Sequence, residues 1–267
     1  MNKYLALFRI RFSNSLQYRA AAIAGLSTQF AWGFMEILAF SAFYRANPAA
    51  FPMEFSQVVS YIWMQQAFLA LFAMWFFESE ILSAISSGSI AYELVRPINL
   101  YRRWFCQSAA NRSARAFLRC APILIVAFIL PPPLGMSFPG NPGRFFFFLV
   151  SSALSLGVVV AFSMLIYIST FYTFEPRGVR IVAAATADFL AGAIIPLPFF
   201  PEPFRTVAEL LPFAAMQNMP LRIYSGNIGG NKIPGGILFQ IFWLVVLYGL
   251  GQILMKRALK KVVVQGG

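Results

Sequence analysis

The sequence predicts an all-α membrane protein with six transmembrane helices. Three observations lead to this prediction: 59% of the 267 residues are hydrophobic, only 11% are charged, and the apolar residues lie in long runs. Soluble domains carry roughly a quarter charged residues, so this chain has too few to cover a water-facing surface. The length suits one compact bundle, and we expect residues 1–267 to form a single transmembrane domain.

Residues 1–19 predict an amphipathic helix that lies on the membrane surface. Leu5, Phe8, Phe12 and Leu16 recur at helical spacing, with basic residues between them. Those basic residues interrupt the apolar core that a cleavable signal peptide needs. We therefore expect the helix to precede the first span and to face lipid headgroups with its basic side.

Six apolar stretches follow, most of them near the ~20 residues that cross a bilayer. They cover residues 20–44, 57–77, 116–130, 144–172, 181–195 and 236–255. The third is short unless its helix begins near Arg103, and the fifth is short and ends before Pro196. With six spans, most of the 21 Lys and Arg residues fall on the side of the termini, which predicts that both termini are cytoplasmic.

The connection between the fifth and sixth spans, residues 196–235, is apolar but repeatedly broken by proline. Proline stops a helix because it lacks a backbone donor and clashes with the preceding turn. Irregular backbone at membrane depth has to be backed by protein rather than by lipid. We therefore expect a re-entrant or interfacial hairpin on the outer face.

The loop at residues 78–101, between the second and third spans, contains a short helical stretch between two breaks. Ser86, Ser87 and Gly88 are expected to end one helix, and Pro97 is expected to stop the next. A short helix between two breaks at the cytoplasmic surface can be gripped by another protein. It can equally be an ordinary surface loop.

Three segments resemble ABC transporter type 2 permeases. Ile85, Gly88, Ile90, Leu94 and Pro97 form the pattern I-x-x-G-x-I-x-x-x-L-x-x-P, which looks like the cytoplasmic loop of these permeases. The segment YLALFRIRFSNSLQYR is similar to their N-terminal connector helix, and IIPLPFFPEPFRTVAELLPFAAMQNMP resembles their outer-face hairpin. In their order and spacing, the three segments resemble the small bacterial half-size permeases that pair with a separate ATPase.

The resemblance implies an exporter in the bacterial inner membrane, built from two permeases, identical or not, with two ABC ATPase subunits docked underneath. A helix over residues 84–93 would be the coupling element. The residues implied in coupling to the ATPase are Ala84, Ile85, Gly88, Ile90, Glu93, Leu94 and Pro97. ATP and Mg²⁺ would bind in the partner, so we expect no cofactor in this chain, which lacks a G-x-x-x-x-G-K-[ST] phosphate loop.

Polar and small residues inside the predicted spans are candidates for a pathway or a helix interface. They are Gln65, Gln66, Asp188, Gly192 and Glu36. Ionisable groups at this depth are costly unless they are paired or hydrated, so they either line a pathway or hydrogen-bond a neighbouring helix. Asp188 shares a helical face with Ala184 and Ala185, and small residues let helices approach closely.

Arg112, Arg115 and Arg119 fall on one face of the third predicted helix. This stripe either faces water and lipid headgroups or contacts the N-terminal helix or an ATPase. Both interpretations remain open from the sequence.

The chain contains no His, which excludes Ser–His nucleophilic pairs and His metal ligands. We expect no catalytic residues and no metal site. The net charge of +12 would favour nucleic acid in a soluble protein, but here the basic residues lie at the ends of apolar runs, which indicates membrane orientation and lipid contact instead. The alternatives are a non-transporting membrane scaffold and a membrane-embedded lipid-modifying enzyme, which needs converging His, Asp or Glu residues at one membrane face.

Overall fold

The computed structural model describes residues 3–17, 24–173 and 176–260. Regular structure in these residues is entirely helical, as predicted, and they contain no β-strand. The predicted start of the first span, residues 20–23, and the end of the N-terminal helix, residues 18–19, lie outside the described residues. The described residues form twelve α-helices: α1 (Lys3–Ser15), α2 (Leu26–Ala46), α3 (Phe55–Ala67), α4 (Leu69–Phe72), α5 (Ser79–Ser86), α6 (Ala91–Leu94), α7 (Leu100–Ile129), α8 (Pro142–Thr173), α9 (Arg177–Leu190), α10 (Glu202–Leu210), α11 (Asn218–Ser225) and α12 (Lys232–Leu259).

Two of the described helices, α8 and α12, are long and apolar enough to cross a membrane. They contain 32 and 28 residues, or roughly 48 and 42 Å, against a hydrocarbon core of ~30 Å. The two helices pack against each other, and a Cβ atom at Gly157 would lie 3.0 Å from Leu244 Cδ1. They correspond to the fourth and sixth predicted spans, while the count of six spans stays a prediction.

The second predicted span is not one continuous helix. Four-residue α4 follows α3, and residues 73–78 leave helical geometry before α5 begins at Ser79. Every residue from Val58 to Ala67 is buried, so α3 lies at the centre of the bundle and is surrounded by protein. An apolar run of 21 residues therefore contains a buried helix and a break, and its composition gives no sign of either.

The third and fifth predicted spans differ from the sequence prediction at their boundaries. α7 begins at Leu100, where the Asn99 side chain accepts a hydrogen bond from Arg102 N at 3.0 Å. Its 30 residues cover roughly 45 Å, which exceeds the thickness of the hydrocarbon core. α9 begins four residues earlier than predicted and ends at Leu190, so it covers only roughly 21 Å.

One end of the bundle, here called the basic end, brings α1, the loop between α4 and α7, and the last turns of α12 together. Lys3 Nζ donates to Pro97 O at 3.0 Å, and Met255 packs in the same apolar cluster as Ile90. α1 also lies along α7, where Ser15 Oγ donates to Asn111 Oδ1 at 2.9 Å. The described residues nearest both termini therefore lie at the same end as residues 78–101.

The opposite end is closed by the loop after α7 and by residues 196–235. This stretch contains two 3₁₀ turns, Leu197–Phe199 and Pro212–Ala215, together with α10 and α11. α11 is largely buried, and its Tyr224 hydroxyl donates to Ser137 O at 3.4 Å. Burial raises the pKa of Tyr224 to about 12, so the phenol stays a neutral donor. The outer-face hairpin stays a prediction.

Candidate coupling element and its polar anchor

The candidate coupling element, residues 79–97, consists of α5, a turn and α6. α5 ends at Ser86, and Gly88 has a φ of +73°, in the left-handed region that glycine adopts without a Cβ penalty. The predicted break at residues 86–88 is confirmed. The prediction of one helix over residues 84–93 is wrong, because the turn at Gly88 separates two helices.

The inner side of the element is fixed to α7. Ile90 is buried, and its N–H donates to Ala84 O at 2.9 Å across the turn. Glu93 also points inward: Oε1 lies 3.1 Å from Arg103 Nη2, and Oε2 accepts from Trp104 Nε1 at 2.7 Å. Ala84, Ile90 and Glu93 therefore hold the element together, while 22% of the Glu93 side chain remains exposed, and their direct contact with a partner stays a prediction.

The outer side of the element exposes apolar side chains on α6 and just beyond it. Tyr92 is 76% exposed, Val95 81% and Leu94 39%. Gly88 and Pro97 are also exposed, and Ile85 is half-buried. Tyr92 and Val95 were not among the residues predicted from the sequence. Their i, i+3 spacing is a single apolar pair, too short a pattern to assign an exposed face from the sequence.

A polar anchor, formed by Arg112, Asn111, Tyr167 and Asp188, holds residues 73–78, which precede the element. Arg112 is completely buried, and its guanidinium donates to Ala73 O at 2.7 Å and to Phe76 O at 2.6 Å. These carbonyls belong to the stretch where the chain leaves helical geometry, so Arg112 replaces helical hydrogen bonds. Arg112 is thus neither solvated nor bound to the N-terminal helix, and both sequence interpretations are wrong for it.

The other anchor residues bind the same stretch from three helices. Met74 N donates to Asp188 Oδ1 of α9 at 3.1 Å, and Glu78 N donates to Tyr167 Oη of α8 at 2.7 Å. Asn111 Nδ2 of α7 donates to the Glu78 carboxylate at 2.8 Å. Residues 73–78 are therefore tied to α7, α8 and α9 immediately before α5 begins.

Two of the predicted interior residues, Gln65 and Gly192, meet where α3 contacts the segment that follows α9. Gln65 Nε2 donates to Ala193 O at 2.8 Å, and the Tyr61 hydroxyl donates to Gly192 O at 3.0 Å. Gly192 has a φ of +77°, and a Cβ atom there would lie 3.1 Å from the Tyr61 hydroxyl. Asp188 accepts a hydrogen bond from Met74 N. In the structure, these residues therefore link neighbouring segments of the bundle through hydrogen bonds.

The family model described as "ABC-2 family transporter protein" matches residues 30–266, which is most of the chain. The chain belongs to the ABC-2 transporter family. The comparison with curated proteins finds no match. The resemblance seen in the sequence is thereby confirmed, and the matched range of this ABC-2 transporter protein includes the coupling element, the polar anchor and both long apolar helices. Members of this family are membrane proteins that normally work with an ATPase partner.

The remaining predicted interior residues, Gln66 and Glu36, lie on the other side of α3. Gln66 O accepts from Gln29 Nε2 of α2 at 2.8 Å. Glu36 of α2 stands apart from Asp188, and its Oε1 is buried without a hydrogen-bond partner in the described part of the chain. The small-residue face of α9 is corrected in one position, because Ala185 is exposed while Ala184 and Ala187 are buried.

Within residues 3–17, 24–173 and 176–260, no three His, Cys, Asp or Glu side chains form a group that could hold a metal ion. Cys106 and Cys120 are free thiols on α7. The chemistry that the described residues support is hydrogen bonding between helices and contact at the exposed side of the coupling element.

Proposed function

We propose that this chain is the permease subunit of an ATP-driven exporter. It works as a dimer with a second permease, identical or not, and couples to a separate ATPase that binds ATP and Mg²⁺. Membership of the ABC-2 family supports a transporter membrane subunit. The observation that carries the coupling proposal is the element at residues 79–97, with an exposed apolar side and an inner side fixed to the bundle.

The exposed side has the composition of a small docking surface. Tyr92, Leu94 and Val95 stand beside the exposed Arg96 and the serines of the turn. Binding energy in protein interfaces concentrates on a few aromatic and apolar residues surrounded by a polar rim. In this proposal the ATPase therefore binds the side chains of Tyr92 and Val95.

Movement of the element has a continuous path into the bundle. Its inner side packs with Trp104 of α7 and Tyr167 of α8 in one apolar cluster. The stretch just before it reaches α9 through Met74 and Asp188. A displacement at Tyr92 then changes how α7, α8 and α9 pack. Transport needs the bundle to alternate between two discrete packing arrangements, and such a path couples that change to the element.

Charge supports a cytoplasmic position for the element. α12 ends with Lys256 and Arg257 in its last turn, and Arg11 of α1 pairs with Glu80 of α5 at 2.8 Å at the same end. Basic residues accumulate on the cytoplasmic side of membrane proteins. We therefore propose that both termini and the element face the cytoplasm of a bacterial inner membrane. The export direction rests on the resemblance to half-size permeases.

Replacing Tyr92 with alanine tests the docking proposal. If Tyr92 is an interface anchor, its loss costs about 2 kcal/mol of ATPase binding, or roughly thirtyfold in affinity. The measurement is retention of the ATPase on the purified permease, together with the stimulation of ATP hydrolysis. Tyr172→Ala, at an exposed tyrosine of α8 outside the element, is the matched control. Equal ATPase binding by both variants would count against the docking surface.

A further inference from the structure

A cavity of about 490 Å³ lies at the basic end, between α1, α7 and residues 76–80, here called the root of the coupling element. Its described lining contains three arginines, Arg11, Arg115 and Arg119, against two glutamates, Glu78 and Glu80. Most of its other described lining residues are Asn and Ser. Water occupies roughly 30 Å³ per molecule, so the cavity has room for a polyatomic anion and an attached group.

Both carboxylates of the cavity already accept hydrogen bonds from neighbouring side chains. Glu80 Oε2 accepts from Arg11 Nη1 at 2.8 Å and from Gln107 Nε2 at 3.0 Å. Glu78 Oε2 accepts from Asn111 Nδ2 at 2.8 Å. The two carboxylates are therefore already paired with Arg11 and with amide groups. Arg115 makes no ion pair with either glutamate.

Arg115 has donors at the cavity that no other described residue uses. It makes no hydrogen bond or ion pair with another residue in the described ranges, and its guanidinium lies over the Phe76 ring, 5.7 Å from the centroid. A guanidinium stacked on a ring keeps its N–H donors at its edge. Arg119 lines the same cavity four residues further along α7, and like charges at this spacing repel. An anion bound beside both side chains relieves that repulsion.

We propose that this cavity is a phosphate-binding site in which Arg115 is the principal ligand and Arg119 and Arg11 add positive charge. The planar guanidinium fork matches phosphate oxygens in bidentate geometry. Two sources share this chemistry: the headgroup of an anionic lipid, which α1 on the membrane surface would bring near, and a soluble phosphate. A bound phosphate joins α1, α7 and residues 76–80, so it fixes the root of the coupling element.

Thermal unfolding of the full-length chain in phosphate-free sugar-detergent micelles tests the proposal. One arm adds inorganic phosphate, and the other adds phosphatidylglycerol to the micelles. At about 100 times the Kd, a bound ligand raises Tm by several degrees. We expect Arg115→Gln to lose at least half of that shift. Arg102→Gln is the matched control, because Arg102 is exposed on the same helix and does not line the cavity.

The two arms distinguish a lipid headgroup from a soluble phosphate, and the two variants test the role of Arg115. A shift with phosphatidylglycerol alone supports a lipid headgroup, and a shift with inorganic phosphate as well supports a soluble phosphate. Equal shifts in Arg115→Gln and Arg102→Gln, or no shift in the wild type, overturn the proposal. If Arg115→Gln does not fold, Arg115→Lys, which keeps the charge but not the fork, is expected to bind several-fold more weakly. Neither arm contains an ATPase, so the result is independent of the proposed function.

Discussion

Arg112 shows how one side chain determines local structure in this protein. A fully buried guanidinium is costly unless its donors are satisfied, and unpaired backbone carbonyls in the same place are costly too. Arg112 offsets much of both costs by donating from its two Nη atoms to Ala73 O and Phe76 O, where the chain leaves helical geometry, while its Nε has no partner among the described residues. The buried charge and the break in the second predicted span therefore stabilise each other.

Replacing Arg112 with methionine tests this pairing. The variant keeps much of the buried volume but leaves both carbonyls without their donor, and we expect a loss of about 3 kcal/mol in the free energy of unfolding. The Tm measured in detergent would then fall by roughly 6 °C or more. Arg102→Met, on the exposed side of the same helix, should stay within about 0.5 kcal/mol of the wild type. Equal Tm values for the two variants would show that Arg112 does not stabilise the break.

At the scale of elements, the sequence predicted the features that periodicity and length encode. It did not predict the features that depend on tertiary contacts. α8 and α12 follow from their long apolar runs, and the turn at Gly88 follows from glycine chemistry. The break after α4 leaves no trace in the sequence, because residues 57–77 contain neither Gly nor Pro. It depends on Arg112, more than thirty residues further along the chain.

The orientation of the coupling element was also beyond the sequence. α6 has only four residues, too few to show an apolar face by periodicity. The predicted set was therefore mixed: Ala84, Ile90 and Glu93 turned out to face inward, and the exposed Tyr92 and Val95 were missed. Of the candidate interior residues, Gln65 and Gly192 lie at one contact between α3 and the segment after α9, Asp188 binds Met74 N, and Glu36 lies apart; a pathway or interface role for them stays a prediction.

Substitutions at Glu93 and Tyr92 should distinguish the inner side of the element from its outer side. Glu93→Gln removes the ion pair with Arg103 but keeps an acceptor for Trp104 Nε1. We expect a loss of about 1 kcal/mol in stability with ATPase binding retained. Tyr92→Ala should show the reverse pattern. Thermal unfolding and ATPase retention measured on both variants check this, and loss of ATPase binding by Glu93→Gln with an unchanged Tm would reverse the assignment of the two sides.

At the scale of the whole molecule, the two ends of the bundle differ in chemistry. The basic end gathers α1, the coupling element, the cavity lined by Arg115 and the last turn of α12. The opposite end is closed by proline-rich turns, with the Arg222–Glu209 ion pair at 2.6 Å. This asymmetry is what an ABC-2 family membrane subunit needs if one end meets an ATPase and the other faces outward.

Labelling of Ser87→Cys by a membrane-impermeant maleimide tests the central claim most directly, in a chain carrying Cys106→Ala and Cys120→Ala. Ser87 lies in the exposed turn of the coupling element, and the control Gly140→Cys lies in the exposed loop at the opposite end. We predict that Ser87→Cys reacts only in inside-out vesicles and is protected when the ATPase binds, while Gly140→Cys reacts only in right-side-out vesicles. Reaction of Ser87→Cys from the outside, or equal reaction with and without the ATPase, would contradict the account.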